Sequence, residues 1–162
     1  MKPVRLILIL SLALFLMTLS GCKGTKSLAS TKYQTRYLPA VVADLYLGMP
    51  MKAAIAAHPG MKFDSDDDFR KSYIETFDSD GLSNITYYFD DNAEGSLYEF
   101  IIEYDNAEER DAVAAKYLGK PNYEDNTEWL YDSREGFNIH AWNYNSKLVI
   151  VGVIKGTEWS EE

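Results

Sequence analysis

The chain has 162 residues, a formal net charge of −9 and a single cysteine. This length suits one domain with its own hydrophobic core, and the excess of acidic residues makes negatively charged nucleic acid a poor partner. A lone cysteine excludes an intramolecular disulfide, so the core must hold the fold together.

The N-terminus has the pattern of a secretory signal. Lys2 and Arg5 form a short positive segment, and an uncharged apolar run over residues 6–18 follows it. This run is too short to cross a hydrocarbon layer of about 30 Å at about 1.5 Å per helical residue. Small residues then lead to Cys22, so we predict that residues 1–21 are a signal peptide that is removed.

The residues Leu19-Ser20-Gly21-Cys22 resemble the lipobox of bacterial lipoproteins. The resemblance implies cleavage between Gly21 and Cys22 and acylation of Cys22, with palmitate among the acyl groups. Two or more acyl chains hold a protein stably at a membrane. Lys23 is not the aspartate that retains enteric lipoproteins at the inner membrane, which implies the periplasmic face of the outer membrane. The outer leaflet of a cell membrane is the alternative.

The remaining chain divides into a linker, a domain and a tail. Residues 22–36 contain the lipidated cysteine and a stretch rich in Ser, Thr and Lys without apolar periodicity, which predicts a flexible linker. One domain is expected over residues 37–157, followed by an acidic tail over residues 158–162.

The domain sequence predicts two helices and six strands. The first helix is expected over residues 50–57, because Pro50 suits a first helical turn. Asp105 and Glu108 predict the N-terminal cap of a second helix over residues 106–118. Apolar alternation predicts strands at residues 69–77, 84–89, 97–104, 127–131, 137–144 and 147–155.

The order of these elements, a helix and three strands, occurs twice. It predicts an α+β fold in which two α-β-β-β pseudo-repeats form one antiparallel sheet with the helices packed on one face. Glu99 and Glu103 alternate with apolar residues in their strand, which predicts a solvated face. The run from Lys147 to Lys155 is apolar on both sides and predicts a central strand.

Several short motifs in the domain resemble the SmpA/OmlA outer-membrane lipoproteins and the wider group with the β-lactamase-inhibitor-protein-like fold. The motifs are Gly48-Met49 before the first helix, the run from Phe77-Asp78 through Gly81 to Ile85, and Leu118-Gly119-Lys120-Pro121 with Trp129 downstream. The resemblance implies that fold. It does not select one function, because the fold hosts assembly factors and inhibitors alike.

A catalytic set is not evident in the sequence. His58 and His140 have no partner at the spacing of a metal site or a catalytic triad, and the chain has no G-x-S-x-G nucleophile. Glu99 and Glu103 would lie about 13 Å apart along a strand, too far for most carboxylate dyads. We therefore expect no enzymatic activity.

Aspartates form two groups that could suit a hard cation such as calcium. They are Asp64, Asp66, Asp67 and Asp68 in one group and Asp78 and Asp80 in the other. Neither frame combines the Gly at position six with the Glu at position twelve that an EF-hand loop requires. Solvated turns are the preferred interpretation, so we expect neither a metal nor a cofactor, and a calcium-stabilised module is the alternative.

Aromatic residues exceed what a core of this size needs. Some of them are expected to form an aromatic, acid-rimmed binding surface, although core positions are the alternative, and the candidates are Tyr73, Tyr87, Tyr88, Trp129, Tyr131, Trp142 and Tyr144. We therefore expect a lipid-anchored periplasmic lipoprotein that binds other proteins, an envelope-assembly accessory by resemblance. The alternative is an acidic inhibitor of a basic secreted enzyme of the lysozyme or β-lactamase type. No residue is assigned to the partner contact.

Overall fold

The computed structural model describes residues 30–79, 81–92 and 94–160. The predicted signal peptide, Gly21 and Cys22, the first part of the linker, Asp80 and the last two residues lie outside the described residues. Within the described ranges, no helix combines the length and the apolar character that spanning a membrane requires.

The described residues form an α+β fold with two α-helices and one seven-stranded antiparallel sheet. The helices are α1, Met51–Ala57, and α2, Ala107–Tyr117. The strands are β1 Lys62–Asp67, β2 Arg70–Ser79, β3 Leu82–Asp90, β4 Leu97–Tyr104, β5 Trp129–Asp132, β6 Asn138–Tyr144 and β7 Lys147–Gly152. Their order across the sheet is β1-β2-β3-β4-β7-β6-β5, so β7 is a central strand as the sequence predicts.

Every predicted strand is present, and β1 is an additional one. Its acidic sequence reads as a solvated turn, because aspartate is disfavoured in strands. It forms because it pairs with β2, from Lys62 opposite Ile74 to Asp67 opposite Arg70. The structure therefore corrects the predicted order, since four strands rather than three follow α1.

The cap of α2 lies one residue later than the sequence suggests. The side chain of Asn106 accepts a hydrogen bond from the Glu109 backbone N–H at 3.0 Å. Asp105 instead accepts hydrogen bonds from the Gly81 backbone N–H at 3.1 Å and the Ser83 hydroxyl at 2.7 Å. The residue predicted as the cap therefore ties the start of α2 to the β2–β3 turn.

The hydrophobic core lies on one face of the sheet. One row of cross-strand neighbours contains Phe63, Tyr73, Tyr87, Phe100, Ile150, Ala141 and Trp129, and it crosses all seven strands. Side chains alternate along a strand, so a row in register shares one face. Tyr87, Phe100 and Ile150 are fully buried, and Ala54 of α1 and Ala114 of α2 belong to the same buried cluster.

The segment before α1 is part of the folded domain. Tyr33–Tyr37 forms a 3₁₀ helix, and Ala40–Val42 forms a second one. Gln34 is fully buried, and its amide both donates to the Leu47 carbonyl at 2.9 Å and accepts from the Leu47 N–H at 2.8 Å. The packed domain therefore includes residues ahead of residue 37, the predicted domain start. Gln34 can be buried there because its amide oxygen and nitrogen both have hydrogen-bond partners.

The C-terminal segment folds back onto the sheet. Glu158 accepts hydrogen bonds from Arg70 of β2 and from the Tyr98 hydroxyl of β4, each at 3.0 Å. The Trp159 indole N–H donates to Glu99 of β4, also at 3.0 Å. Residues 157–160, which we call the C-terminal strap, are therefore packed where the sequence predicts an acidic tail. The partners lie 60 or more residues away in the chain, beyond the reach of a local pattern.

Candidate functional site

The sheet face opposite the core, which we call the outer face, carries a second row of cross-strand neighbours. The row contains Ser72, Tyr88, Glu99, Val151, His140 and Leu130. The register shifts next to Tyr88, where Tyr98 is the extra residue of β4. The Tyr98 ring lies 6.5 Å from the Tyr88 ring. The C-terminal strap contacts this part of the outer face through Tyr98 and Glu99.

Glu99 occupies the middle of the outer face and is only 4% exposed. Burial raises the pKa of its carboxyl to about 7, and the nearby Glu158 carboxylate adds to this, while the Trp159 hydrogen bond and the charge of Arg70 oppose it. The prediction that Glu99 lies on a solvated face is therefore wrong, because the strap covers it. Glu103, four residues further along β4, remains partly exposed and lies 3.6 Å from Lys147.

Aromatic rings form a connected run beside Glu99. The rings of Tyr123 and His140 lie 5.4 Å apart, those of His140 and Trp142 5.0 Å apart, and those of Trp142 and Trp159 5.1 Å apart. The His140 imidazole also contacts the Glu128 carboxylate at 2.5 Å. The run continues from β6 to the strap, so it helps to hold the strap on the sheet.

His58, at the end of α1, lies between two carboxylates. Its Nδ1 is 2.7 Å from Glu75 of β2, and its Nε2 is 3.0 Å from Asp44. Burial opposes protonation, but hydrogen bonds with Glu75 and Asp44 outweigh it and raise the pKa of His58. The Tyr87 hydroxyl also donates to Glu75 at 2.7 Å. This Asp–His–Glu cluster ties the loop before α1, the end of α1 and β2 together.

The sequence shows neither histidine a partner at the spacing of a metal site or a catalytic triad, and the fold gives each of them an acidic neighbour from another segment. The partners of His58 lie 14 and 17 residues away, and the partner of His140 lies 12 residues away, so only the fold brings them together. Tyr87, whose hydroxyl contacts the His58 cluster, is fully buried, and burial raises the pKa of this hydroxyl above its ordinary value. A phenol in this state is a poor nucleophile at neutral pH, and the cluster fits a structural role.

Three of the aspartates considered for calcium, Asp64, Asp66 and Asp67, make contacts with side chains of β2. Asp64 accepts from the Ser72 hydroxyl at 2.9 Å. Asp66 lies 3.7 Å from Lys71, and Asp67 lies 3.5 Å from Arg70. Among the residues that the structure describes, no group of three or more His, Cys, Asp or Glu side chains could hold a metal ion. Asp80 lies outside those residues, so the pair Asp78 and Asp80 is not described.

The aromatic candidates from the sequence separate into core and surface. Tyr87 and Trp129 are buried in the core, and Tyr73 and Tyr131 pack against it. Tyr88 and Trp142 are half-buried on the outer face, and Tyr144 is 63% exposed. The exposed large hydrophobic residues of the described chain also include three that the sequence did not single out, and these are Phe63, Phe69 and Tyr123.

Phe63 and Phe69 lie at the β1 edge, where the sequence offered only an acidic run. They are 58% and 54% exposed. The signal that could have drawn attention to them is their position at the two ends of that run.

Comparison of this chain with protein-family profiles, with curated proteins and with solved structures finds no match.

Proposed function

We propose that the chain is a lipid-anchored lipoprotein that binds other proteins at the periplasmic face of the outer membrane, without catalysis of its own. One observation carries the proposal: the exposed large hydrophobic residues of the described chain are all aromatic, and two of them, Phe63 and Phe69, flank an acidic run. Aromatic side chains are enriched in protein interfaces, and a net charge of −9 favours basic partners.

The anchor is part of the same proposal and depends on the sequence alone. The lipobox-like residues ending in Cys22 stand directly after an apolar run with a positive start, in the order that lipoprotein processing requires. The first described helix starts at Tyr33, so about ten residues separate it from Cys22, and a linker of that length would reach roughly 20 Å if it is flexible as the sequence predicts. We add envelope assembly as the setting of this binding because the sequence motifs resemble those of SmpA/OmlA lipoproteins.

The finer architecture is also a proposal. We infer two pseudo-repeats, each a helix followed by three strands, with β1 as an insertion in the first. The sheet order supports this, because β2-β3-β4 and β7-β6-β5 meet at the β4–β7 pair, where both repeats contribute their last strand. The presence of Ala54 and Ala114 in one buried cluster supports the packing of both helices on the core face.

The anchor is tested by the intact mass of the protein purified from bacterial envelopes. We expect cleavage before Cys22, a mass increase that corresponds to acyl chains, and release from envelopes only by detergent. The Cys22→Ala variant should lack all three properties. An unacylated N-terminus in the unsubstituted protein would refute the anchor.

The binding role is tested by photo-crosslinking in intact cells. A photoreactive phenylalanine analogue at position 69 should give a discrete crosslinked species that mass spectrometry identifies as a protein. The same analogue at the exposed Ala115 of α2 is the matched control. Equal crosslinking at positions 69 and 115 would refute a specific binding surface at the β1 edge. If the analogue at positions 123 and 144, in place of the exposed Tyr123 and Tyr144, also gave no specific crosslink, the binding role itself would be refuted.

The acidic-inhibitor function is a second candidate, and the exposed rings that flank the acidic run favour it. Charge complementarity would steer an acidic inhibitor to a basic enzyme, and Phe63 and Phe69 at the two ends of the acidic run would add apolar contact. The test is the inhibition of a lysozyme and of a β-lactamase at low and high salt. Inhibition that weakens with salt would support this function, and full enzymatic activity at an excess of the protein would exclude it.

A further inference from the structure

The two edge strands of the sheet, β5 and β1, differ in how their backbone groups are covered. An edge strand presents backbone N–H and C=O groups that can pair with another strand unless the protein covers them. On the β5 edge, the Asn122 side chain closes both groups of Leu130: it donates to the carbonyl at 3.1 Å and accepts from the N–H at 2.8 Å. Tyr37 also stacks on Tyr131 of β5 with ring centroids 4.2 Å apart. The backbone groups of Leu130 in the middle of the β5 edge are therefore not available to an added strand.

The β1 edge has no comparable cover among the described residues. β1 lies at the end of the strand order and pairs with β2. Its side-chain contacts point back toward β2, such as the Ser65 hydroxyl to the Ser72 hydroxyl at 2.8 Å. The residues of β1 are exposed except for Ser65, which is half-buried. An incoming strand would therefore meet the free side of β1 without displacing any part of the chain that the structure describes.

The charge of the β1 edge selects the partner. Asp66 and Asp67 follow each other in β1, so their side chains point to opposite faces of the sheet. Each is about half exposed, although Lys71 and Arg70 lie nearby. A second copy of β1 would bring three more aspartates and only one lysine, Lys62, against this edge, which is unfavourable. A strand with basic residues on either face would instead find a carboxylate opposite them.

Apolar contact adds to this selectivity. Phe63 belongs to the row of the core face, where its ring packs edge-on against Tyr73 at a centroid distance of 5.8 Å, and more than half of its surface is open. An added strand would extend that row by one residue, and an apolar side chain there would cover Phe63. Phe69, in the turn after β1, offers a second ring at the other end of the edge.

We propose that the β1 edge accepts an extended basic segment of a partner protein as an eighth strand of the sheet, with an apolar residue of that segment against Phe63. The inference rests on the proposed protein-binding function, and it specifies the mode of binding and the chemistry of the partner. Backbone hydrogen bonds supply the affinity in strand addition, and alternate side chains supply the specificity.

The test uses the full chain in non-ionic detergent and a fluorescent peptide of alternating lysine and valine, KVKVKVKV. Fluorescence anisotropy should show saturable binding, whereas the charge-reversed peptide EVEVEVEV should not bind. Methylation of every second backbone nitrogen of the basic peptide removes hydrogen bonds without altering the protein, and we expect it to weaken binding by about tenfold or more. Protection of β1 amides from hydrogen exchange should accompany the binding.

Protein variants separate the edge from bulk charge. The double variant Asp66→Asn and Asp67→Asn should weaken binding several-fold at low salt. The matched control, Glu124→Gln and Asp125→Asn, removes the same charge from an exposed loop elsewhere and should leave binding unchanged. Both pairs are exposed, so both variants should fold.

Three outcomes would overturn the inference. If the methylated peptide binds as tightly as its parent, the contact is not strand pairing. If the loop variant weakens binding as much as the β1 variant, only net charge attracts the peptide. If no basic peptide binds while crosslinking from position 69 still identifies a partner, strand addition is wrong and the binding function stands. If no basic peptide binds and positions 69, 123 and 144 all give no specific crosslink, both proposals fall.

Discussion

Replacement of Glu99 by glutamine gives the sharpest test of the outer face. The pKa of Glu99 rises from an ordinary value of 4.5 to about 7, mainly because the side chain is buried. The folded protein therefore holds the proton more tightly than the unfolded chain, and the free energy of unfolding should fall as the pH rises from 4.5 to 7. At about 1.4 kcal/mol per pH unit, this fall amounts to about 3 kcal/mol and then levels out above pH 7.

Glutamine keeps the shape of the protonated acid. Its carbonyl oxygen can still accept from the Trp159 indole, and its amino group can donate to Glu158. The Glu99→Gln variant should therefore match the unsubstituted protein at pH 5 within about 1 kcal/mol and exceed it at pH 8 by up to about 3 kcal/mol. The difference between the two proteins isolates Glu99, because other groups such as His58 titrate equally in both.

The measurement is urea unfolding at pH 5, 6, 7 and 8, followed by far-ultraviolet circular dichroism. The matched control is Glu103→Gln, four residues along the same strand and partly exposed, which should change stability by at most about 1 kcal/mol and keep the pH dependence of the unsubstituted protein. Parallel pH curves for Glu99→Gln and the unsubstituted protein would show that the strap does not bury the carboxyl in solution.

Three further substitutions test the contacts that only the fold creates. His58→Ala leaves two carboxylates without their shared cation and should lower the free energy of unfolding by about 3 kcal/mol at pH 6. The pKa of His58 is raised, so the stability that its charge contributes is lost as the pH rises through that pKa, and the effect should be smaller at pH 9. Equal losses at both pH values in urea unfolding would contradict this reasoning. Trp159→Ala should expose Glu99 and reduce the excess stability of Glu99→Gln at pH 8, which a double-mutant cycle measures; full additivity would show that the two side chains do not interact. Gln34→Ala leaves the N–H and C=O groups of Leu47 without their side-chain partner and should lower the melting temperature with a loss of about 2 kcal/mol, whereas an unchanged melting temperature would place Gln34 outside the fold.

Alternation along the chain accounts for the elements that sequence reasoning recovered. In β4, the buried Phe100 and Ile102 lie on one side and the partly exposed Ile101 and Glu103 lie on the other, which is the pattern of a strand with two different faces. β1 lacks this pattern, since aspartates occupy consecutive positions. Its strand conformation comes from pairing with β2, a tertiary effect that overrides local preference.

The surface of exposed aromatic and acidic residues could be predicted only in part, because burial of each aromatic ring also depends on tertiary contacts. Composition indicated an aromatic and acidic surface, and Tyr144 is an exposed member of it. Tyr87 and Trp129 proved to be core residues, while Phe63 and Phe69 are exposed. An aromatic side chain fits either environment, and its local sequence does not state which face of the sheet the rest of the chain will cover.

The sequence by itself determined the types of most elements and the central place of β7, because these depend on spacing between near neighbours. The tertiary structure alone decided the partners of Gln34, His58 and Glu99, and it alone turned the acidic C-terminus into a strap. The physical reason is that a sequence pattern predicts polar side chains to be exposed to solvent. Whether such a side chain is buried, and which group then satisfies it, depends on segments that meet only after the sheet has formed.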